Sequence, residues 1–165
     1  NDPKLRENFI EQIFALKRWR QALAGRHTIG NLVAFHTREK LLLMAHSQKH
    51  YRQMGRLVAT GKAMQASLLY DQYEDMLMKA LALKTTVAKN TNVLMHILGY
   101  FKKQLSADEK KEVLELMDNY RKGHLPLIVP VTLLNHFVRK YSQSYLSEQT
   151  YLNPHPLELA LRNHV

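Results

Sequence analysis

The chain of 165 residues has no cysteine. That excludes disulfides, thiolate metal sites, cysteine-ligated iron–sulfur clusters and cysteine catalysis within it, and it is compatible with a reducing compartment. Acids are scarce as well. Asp and Glu number 14 against 24 Lys and Arg, a formal charge of +10 with a pI near 9.8. An excess of that size in a small domain points first to nucleic acid or an anionic surface. No run approaches the ~18 apolar residues of a membrane span. The N-terminus, NDPKLRENF, lacks signal-peptide character. There is no G-x-S-x-G, no P-loop, no dinucleotide fingerprint and no paired-carboxylate signature. Aromatics make up 8%, which argues against an extended platform for stacking single-stranded bases.

What is present is a helical pattern. Apolar residues make up 45% of the chain, enough for one domain with a real core. Asp2 and Pro3 suit an N-cap and first helical position. Leu5, Phe9, Ile13, Leu16 and Leu23 then recur at helical spacing until Gly25. Further helices are expected over residues 31–44, 48–60, 62–84 and 86–105. The 62–84 helix carries Leu69, Tyr73, Met76, Leu77, Ala80 and Leu83 on one side. Ser106 and Glu109 have capping-box spacing and open a helix that stops at Gly123. Residues 125–137 form the most apolar stretch. It is expected to be the central core helix, with Pro130 in its first turn, and strand is the minor alternative. The tail has an extended piece at 153–156 and then a short helix. The expected fold is all-α, a single compact bundle-like domain of about seven or eight helices. Residues 1–27 are expected as an N-terminal helix and 28–165 as the domain proper.

Residues 35–59 are the most informative. They hold five Lys/Arg and three His against one acid, Glu39. With Ser47 as N-cap, Lys49, Arg52 and Arg56 fall on one stripe of the following helix, opposite Tyr51, Met54, Leu57 and Val58. A second stripe, Lys89, Asn92, His96, Gly99 and Lys103, lies opposite Val87, Leu94, Ile97, Leu98, Phe101 and Leu105. Cations, an amide, an imidazole and a glycine suit a phosphate backbone. The competing reading is an ordinary solvated face with a helix-packing glycine. Lys40, His50, Lys102, Arg121 and Lys122 extend the candidate nucleic-acid surface. Arg121 and Lys122 also suit a helix C-terminus through its dipole.

His46 and His50 are four apart, but HSQKH lacks the Glu of HExxH and Ser47 begins a new helix between them, so no metal site is expected. His50 is expected to be a satisfied, partly buried histidine. Two other function classes remain open. One is a protein-interaction module packing on a partner domain, which an exposed apolar patch would favour. The other is an enzyme using His36, His46, His50 or His96, which their convergence with an acid in a pocket would favour.

The segments FHTREKLLLMAHSQKHYRQMGRLVA, NVLMHILGYFKKQLS, YRKGHLPLIVPVTLLNHF and YLNPHPLELALRN resemble the YbgA-like family, long catalogued as a domain of unknown function. They span most of residues 31–163. Members of that family occur alone or fused behind a desulfidase domain of the thiouracil-desulfidase type. NDPKLRENFIEQIF resembles the segment joining the two. The chain begins at Asn1 rather than Met and is expected to be the C-terminal half of such a fusion. The resemblance implies that the desulfidase half carries a [4Fe-4S] cluster and removes sulfur from thiouridine in tRNA. This chain, with no cysteine, is expected to hold no cofactor and no catalytic residue. Its expected role is a cytoplasmic, non-catalytic tRNA-binding accessory domain, with tRNA and the desulfidase domain in cis as partners and no membrane contact.

Overall fold

A computed structural model describes residues 2–163. Asn1, His164 and Val165, and with them the outer limits of the expected domain division, lie outside the described residues. The helices are α1 (Pro3–Leu23), α2 (Ile29–His46), α3 (Gln48–Thr60), α4 (Ala66–Ala82), α5 (Val87–Gly99), α6 (Ala107–Arg121), α7 (Ile128–Lys140), α8 (Ser144–Ser147) and α9 (Pro156–Asn163). A single 3₁₀ turn, Gly61–Ala63, separates α3 from α4. No strand occurs among the described residues. The fold is all-α, and the seven long helices are joined by one-turn α8 and short α9.

Local chemistry sets several boundaries where the sequence placed them. Asp2 Oδ1 accepts the Lys4 backbone N–H at 3.0 Å, and Pro3 fills the first helical position. Ser47 ends α2 in an extended conformation and caps α3, its Oγ accepting from His50 N at 3.2 Å. Both halves of the capping box form: Glu109 N donates to Ser106 Oγ at 3.1 Å and Ser106 N to Glu109 Oε2 at 2.8 Å. Gly123 follows α6 with φ of +80°, a conformation that favours glycine.

Three expectations are corrected. The helix expected over 62–84 is interrupted by the 3₁₀ turn. There Gly61 is packed so closely that a Cβ would lie 2.6 Å from Leu69 Cδ2. The helix expected over 86–105 ends at Gly99. Residues 100–105 continue as hydrogen-bonded turns, and Gln143 Nε2 donates to the Tyr100 carbonyl at 3.2 Å.

The central helix is α2 rather than α7. Its Leu41, Met44 and Ala45 enter one core cluster, shared with α5, α6 and α7. Its Leu32, Phe35, Leu42 and Leu43 enter the other, shared with α1, α3 and α4. A helix apolar on opposite sides can only sit between two layers. By contrast α7 leaves Ile128, Thr132 and His136 exposed. Gln149, 1% exposed, clamps α2 from outside. Its Nε2 donates to the Thr37 carbonyl at 2.7 Å and its Oε1 accepts from Leu41 N at 3.2 Å. Those are the two backbone groups of one helical rung.

On α1 the helical spacing of apolar residues does not mark the buried face. Leu5, Phe9 and Ile13 are 50, 62 and 47% exposed. The inward face is Asn8, Ile10, Glu11, Phe14, Ala15 and Trp19. Glu11 turns inward because buried partners await it. Trp19 anchors the other end of the helix by donating from Nε1 to Glu74 Oε2 at 2.6 Å.

Candidate nucleic-acid interface

On α3 the burial of Met54 and Val58 turns Lys49, Arg52 and Arg56 outward, and all three are exposed. None of them is in an ion pair among the described residues. The sequence explains why: residues 40–70 and 76–107 contain no Asp or Glu. His50 is half-buried and tied to its own N-cap, its Nδ1 lying 2.8 Å from Ser47 Oγ.

The second stripe divides. Asn92, His96 and Lys103 are exposed, as is Lys102 in the turn after α5. Lys89 is anchored: its Nζ donates to the carbonyls of His46 at 2.7 Å and Lys84 at 2.8 Å, neutralising the C-terminal end of α2. Nothing lies within 4 Å of a Cβ built on Gly99, so this glycine packs against no helix and leaves open space beside His96 and Lys103. Arg121 and Lys122 both pair with Asp118 on α6.

Both α3 and α5 pack on α2. Where the C-terminal turn of α5 meets α2, Tyr100 stacks on Tyr145 with ring centres 5.3 Å apart. Lys40 Nζ stands 5.8 Å from the Tyr145 ring centre. Burial, with Tyr100 and Tyr51 nearby, raises the Tyr145 phenol. The cluster is therefore a stacked pair of phenol rings with one ammonium over the Tyr145 ring.

The four histidines do not converge. Buried His36 bonds Tyr73 OH through Nδ1 at 2.9 Å and stacks on Tyr51 at 5.2 Å. Burial, with the charge of Lys40, depresses its pKa to about 4. His46, with no exposure, bonds the Leu83 carbonyl through Nδ1 at 2.7 Å, and its Nε2 faces Glu11 Oε2 at 3.2 Å. His96 is exposed. Among the described residues no group of three or more His, Cys, Asp or Glu could hold a metal ion.

A second site went unread in the sequence. A cavity of about 490 Å³ lies where α1, α5, α7 and α9 meet. Buried ions form its floor. Arg18 holds Glu39 by two hydrogen bonds, at 2.7 and 3.0 Å, and Thr150 Oγ1 adds a third at 2.9 Å. Arg162 lies 3.1 Å from Glu11 and 3.7 Å from Glu158, and Arg18 lies 3.7 Å from Glu158. Burial pushes Glu11 upward, but the His46 ring at 3.2 Å and the Arg162 charge outweigh it and hold the carboxyl below its ordinary range. Glu158 goes the other way: burial raises it despite Arg18 and Arg162. Glu158 Oε2 is buried with no hydrogen-bond partner. One signal was visible. Glu39 is the lone acid of residues 12–70, and an isolated acid in a basic segment marks an internal ion pair.

The molecule is thus an all-α basic domain with unpaired surface cations on α3 and, apart from them, a polar cavity. Residues 40–156 match the family described as "Protein of unknown function (DUF1722)", and the chain belongs to that family. It is also similar to "Uncharacterized protein YbgA" of Escherichia coli (strain K12). The two are 33% identical over 158 residues, covering 95% of this chain and 94% of that protein. No solved structure matches the chain.

Proposed function

We propose that this chain is a non-catalytic RNA-binding accessory domain that holds tRNA through backbone phosphates. The observation that carries the reading is the set of exposed, unpaired cations on α3, Lys49, Arg52 and Arg56, in a stretch without a single acid. Guanidinium and ammonium groups on one helix face suit contact with backbone phosphates, which reads shape and charge rather than sequence. Lys102, Lys103, Asn92 and His96 extend the contact. The Tyr100–Tyr145 pair under Lys40 offers an aromatic surface. Lys89, Arg121 and Lys122, already engaged within the protein, contribute less.

The exposed apolar stripe Leu5, Phe9 and Ile13 on α1 favours a complementary role, docking on a partner domain. The proposed partner is a desulfidase domain acting on thiolated tRNA, in cis or as a separate chain, in the cytoplasm. No helix among the described residues is long and apolar enough to cross a membrane. Titration of tRNA into the chain and into a Lys49→Ala, Arg52→Ala, Arg56→Ala variant tests the central part. Binding that drops in the variant while its melting temperature is kept supports the reading. Equal binding by both refutes it.

A further inference from the structure

We propose, resting on the RNA reading above, that Tyr100 is the stacking site for one unpaired RNA base. The region of RNA it takes is then a loop or a single-stranded end rather than an uninterrupted duplex, whose bases are already stacked on one another. Of the aromatic rings among the described residues, only Phe9 and Tyr100 are exposed. Phe9 lies in the apolar stripe of α1. Tyr100, 38% exposed, follows the last residue of α5, inside the stretch 76–107 that has no acid.

The ring is held in place before any ligand arrives. One of its faces is stacked on Tyr145, with the ring planes 18° apart. Its carbonyl accepts from Gln143 Nε2 at 3.2 Å. The next residue, Phe101, is 1% exposed and packs beside the rings of Phe137 and Tyr141, which anchors the backbone. A fixed ring loses little freedom when a base lands on it, so more of the stacking energy appears as affinity. Gly99 leaves open space beside it, since a Cβ there would meet nothing within 4 Å.

The surroundings suit the rest of a nucleotide. Tyr100 keeps helical dihedrals, φ −69° and ψ −17°, so exposed His96, one turn earlier, lies on the same side of the helix. Lys102 and Lys103 follow, both exposed and in no ion pair among the described residues. Lys40 Nζ stands 5.8 Å from the centre of the Tyr145 ring. The base takes the free face of Tyr100 and the flanking phosphates fall to the lysines. Every base has a π face, so the site selects an unpaired nucleotide without reading which one it is.

An RNA hairpin with an open loop and a blunt RNA duplex of equal phosphate count are titrated into the full chain at several salt concentrations. The same is done with Tyr100→Ala, Tyr100→Leu and Tyr100→Phe, and melting temperatures are followed alongside. The intact chain is expected to bind the hairpin about tenfold more tightly than the duplex, the scale of one stacked base. Tyr100→Ala is expected to erase that preference and leave duplex binding unchanged, and Tyr100→Phe to keep it. Stacking releases no counterion, so the salt slope of Tyr100→Ala on the hairpin should run parallel to that of the intact chain, whereas a lost phosphate contact would make it shallower. Tyr100→Leu covers Tyr145 without a π face and serves where Tyr100→Ala unfolds. A folded Tyr100→Leu protein that still prefers the hairpin overturns the proposal. So does an equal loss on hairpin and duplex in folded Tyr100→Ala. Salt-sensitive binding of both RNAs that ignores every change at Tyr100 keeps the phosphate reading and sinks this one. Binding of neither RNA sinks both.

Discussion

On α3, Lys49, Arg52 and Arg56 stand in solvent with no acid beside them, whereas half-buried Arg18 and Arg162 are threaded between buried Glu11, Glu39 and Glu158. The residue types are the same and the physics differs. In water the α3 cations interact weakly with the rest of the fold, add little to its stability, and remain free for a polyanion. The carboxylates there have lost most of their hydration and depend on the arginines beside them, so removing one member strands its partners. The exposed charge of α3 is available for binding, and the charge between α1, α2 and α9 holds those helices together.

The comparison breaks most visibly at Glu39. Glu39→Ala leaves Arg18 without its two-point partner and is expected to cost about 3–5 kcal/mol of stability. Chemical denaturation checks this, and the folded fraction should bind RNA as before. A loss below about 1 kcal/mol would place the pair with ordinary surface bridges.

Next comes a pH effect. Folded His36 titrates near 4, while an unfolded histidine titrates near 6.5. Between those values the unfolded chain carries the extra proton, so stability falls as pH falls through that window. The full contribution is ~3 kcal/mol, and His36→Gln should flatten the slope between pH 6.5 and 4. Denaturation midpoints that fall equally with pH in both proteins would assign the effect to other groups.

A smaller effect sharpens the boundary between the two kinds of charge. Lys89 and Lys103 were placed on one stripe by sequence, yet only Lys89 bonds the carbonyls of His46 and Lys84. Lys89→Ala should cost about 1–3 kcal/mol, because hydrogen bonds from a charged donor are lost. Lys103→Ala should change stability by less than about 0.5 kcal/mol. Melting temperatures of the two variants decide the matter, and equal losses would contradict the distinction. Arg52→Ala with Arg56→Ala should leave stability within about the same 0.5 kcal/mol while lowering RNA affinity.

The sequence was most legible where local chemistry decides. Asp2, Ser47, Ser106 and Glu109 announce helix starts because a cap needs only its own next few residues. The α3 stripe was legible for the same reason: Met54 and Val58 fix which side is inward, and the cations follow. Legibility failed where a distant partner decides. Leu5, Phe9 and Ile13 have the spacing of a buried face, but Glu11 turns inward to meet Arg162 and His46, far away in the chain. The cavity was invisible because its floor and rim combine Lys4, Arg139 and Glu158, which no helical period relates. Lys89 shows both sides. Its position on a helix face was readable, and its engagement with two carbonyls from other segments was not.

The measurement that tests the account most directly is tRNA affinity as a function of salt, taken on the intact chain and on the Arg52→Ala, Arg56→Ala variant. Phosphate contacts release counterions, so log affinity should fall linearly with log salt, and each contact removed should reduce the slope by roughly one unit. A steep negative slope is expected for the intact chain and a slope shallower by about two for the variant, with both proteins folded throughout. An affinity that stays level from about 50 to about 200 mM salt, or identical slopes for the two proteins, would contradict it.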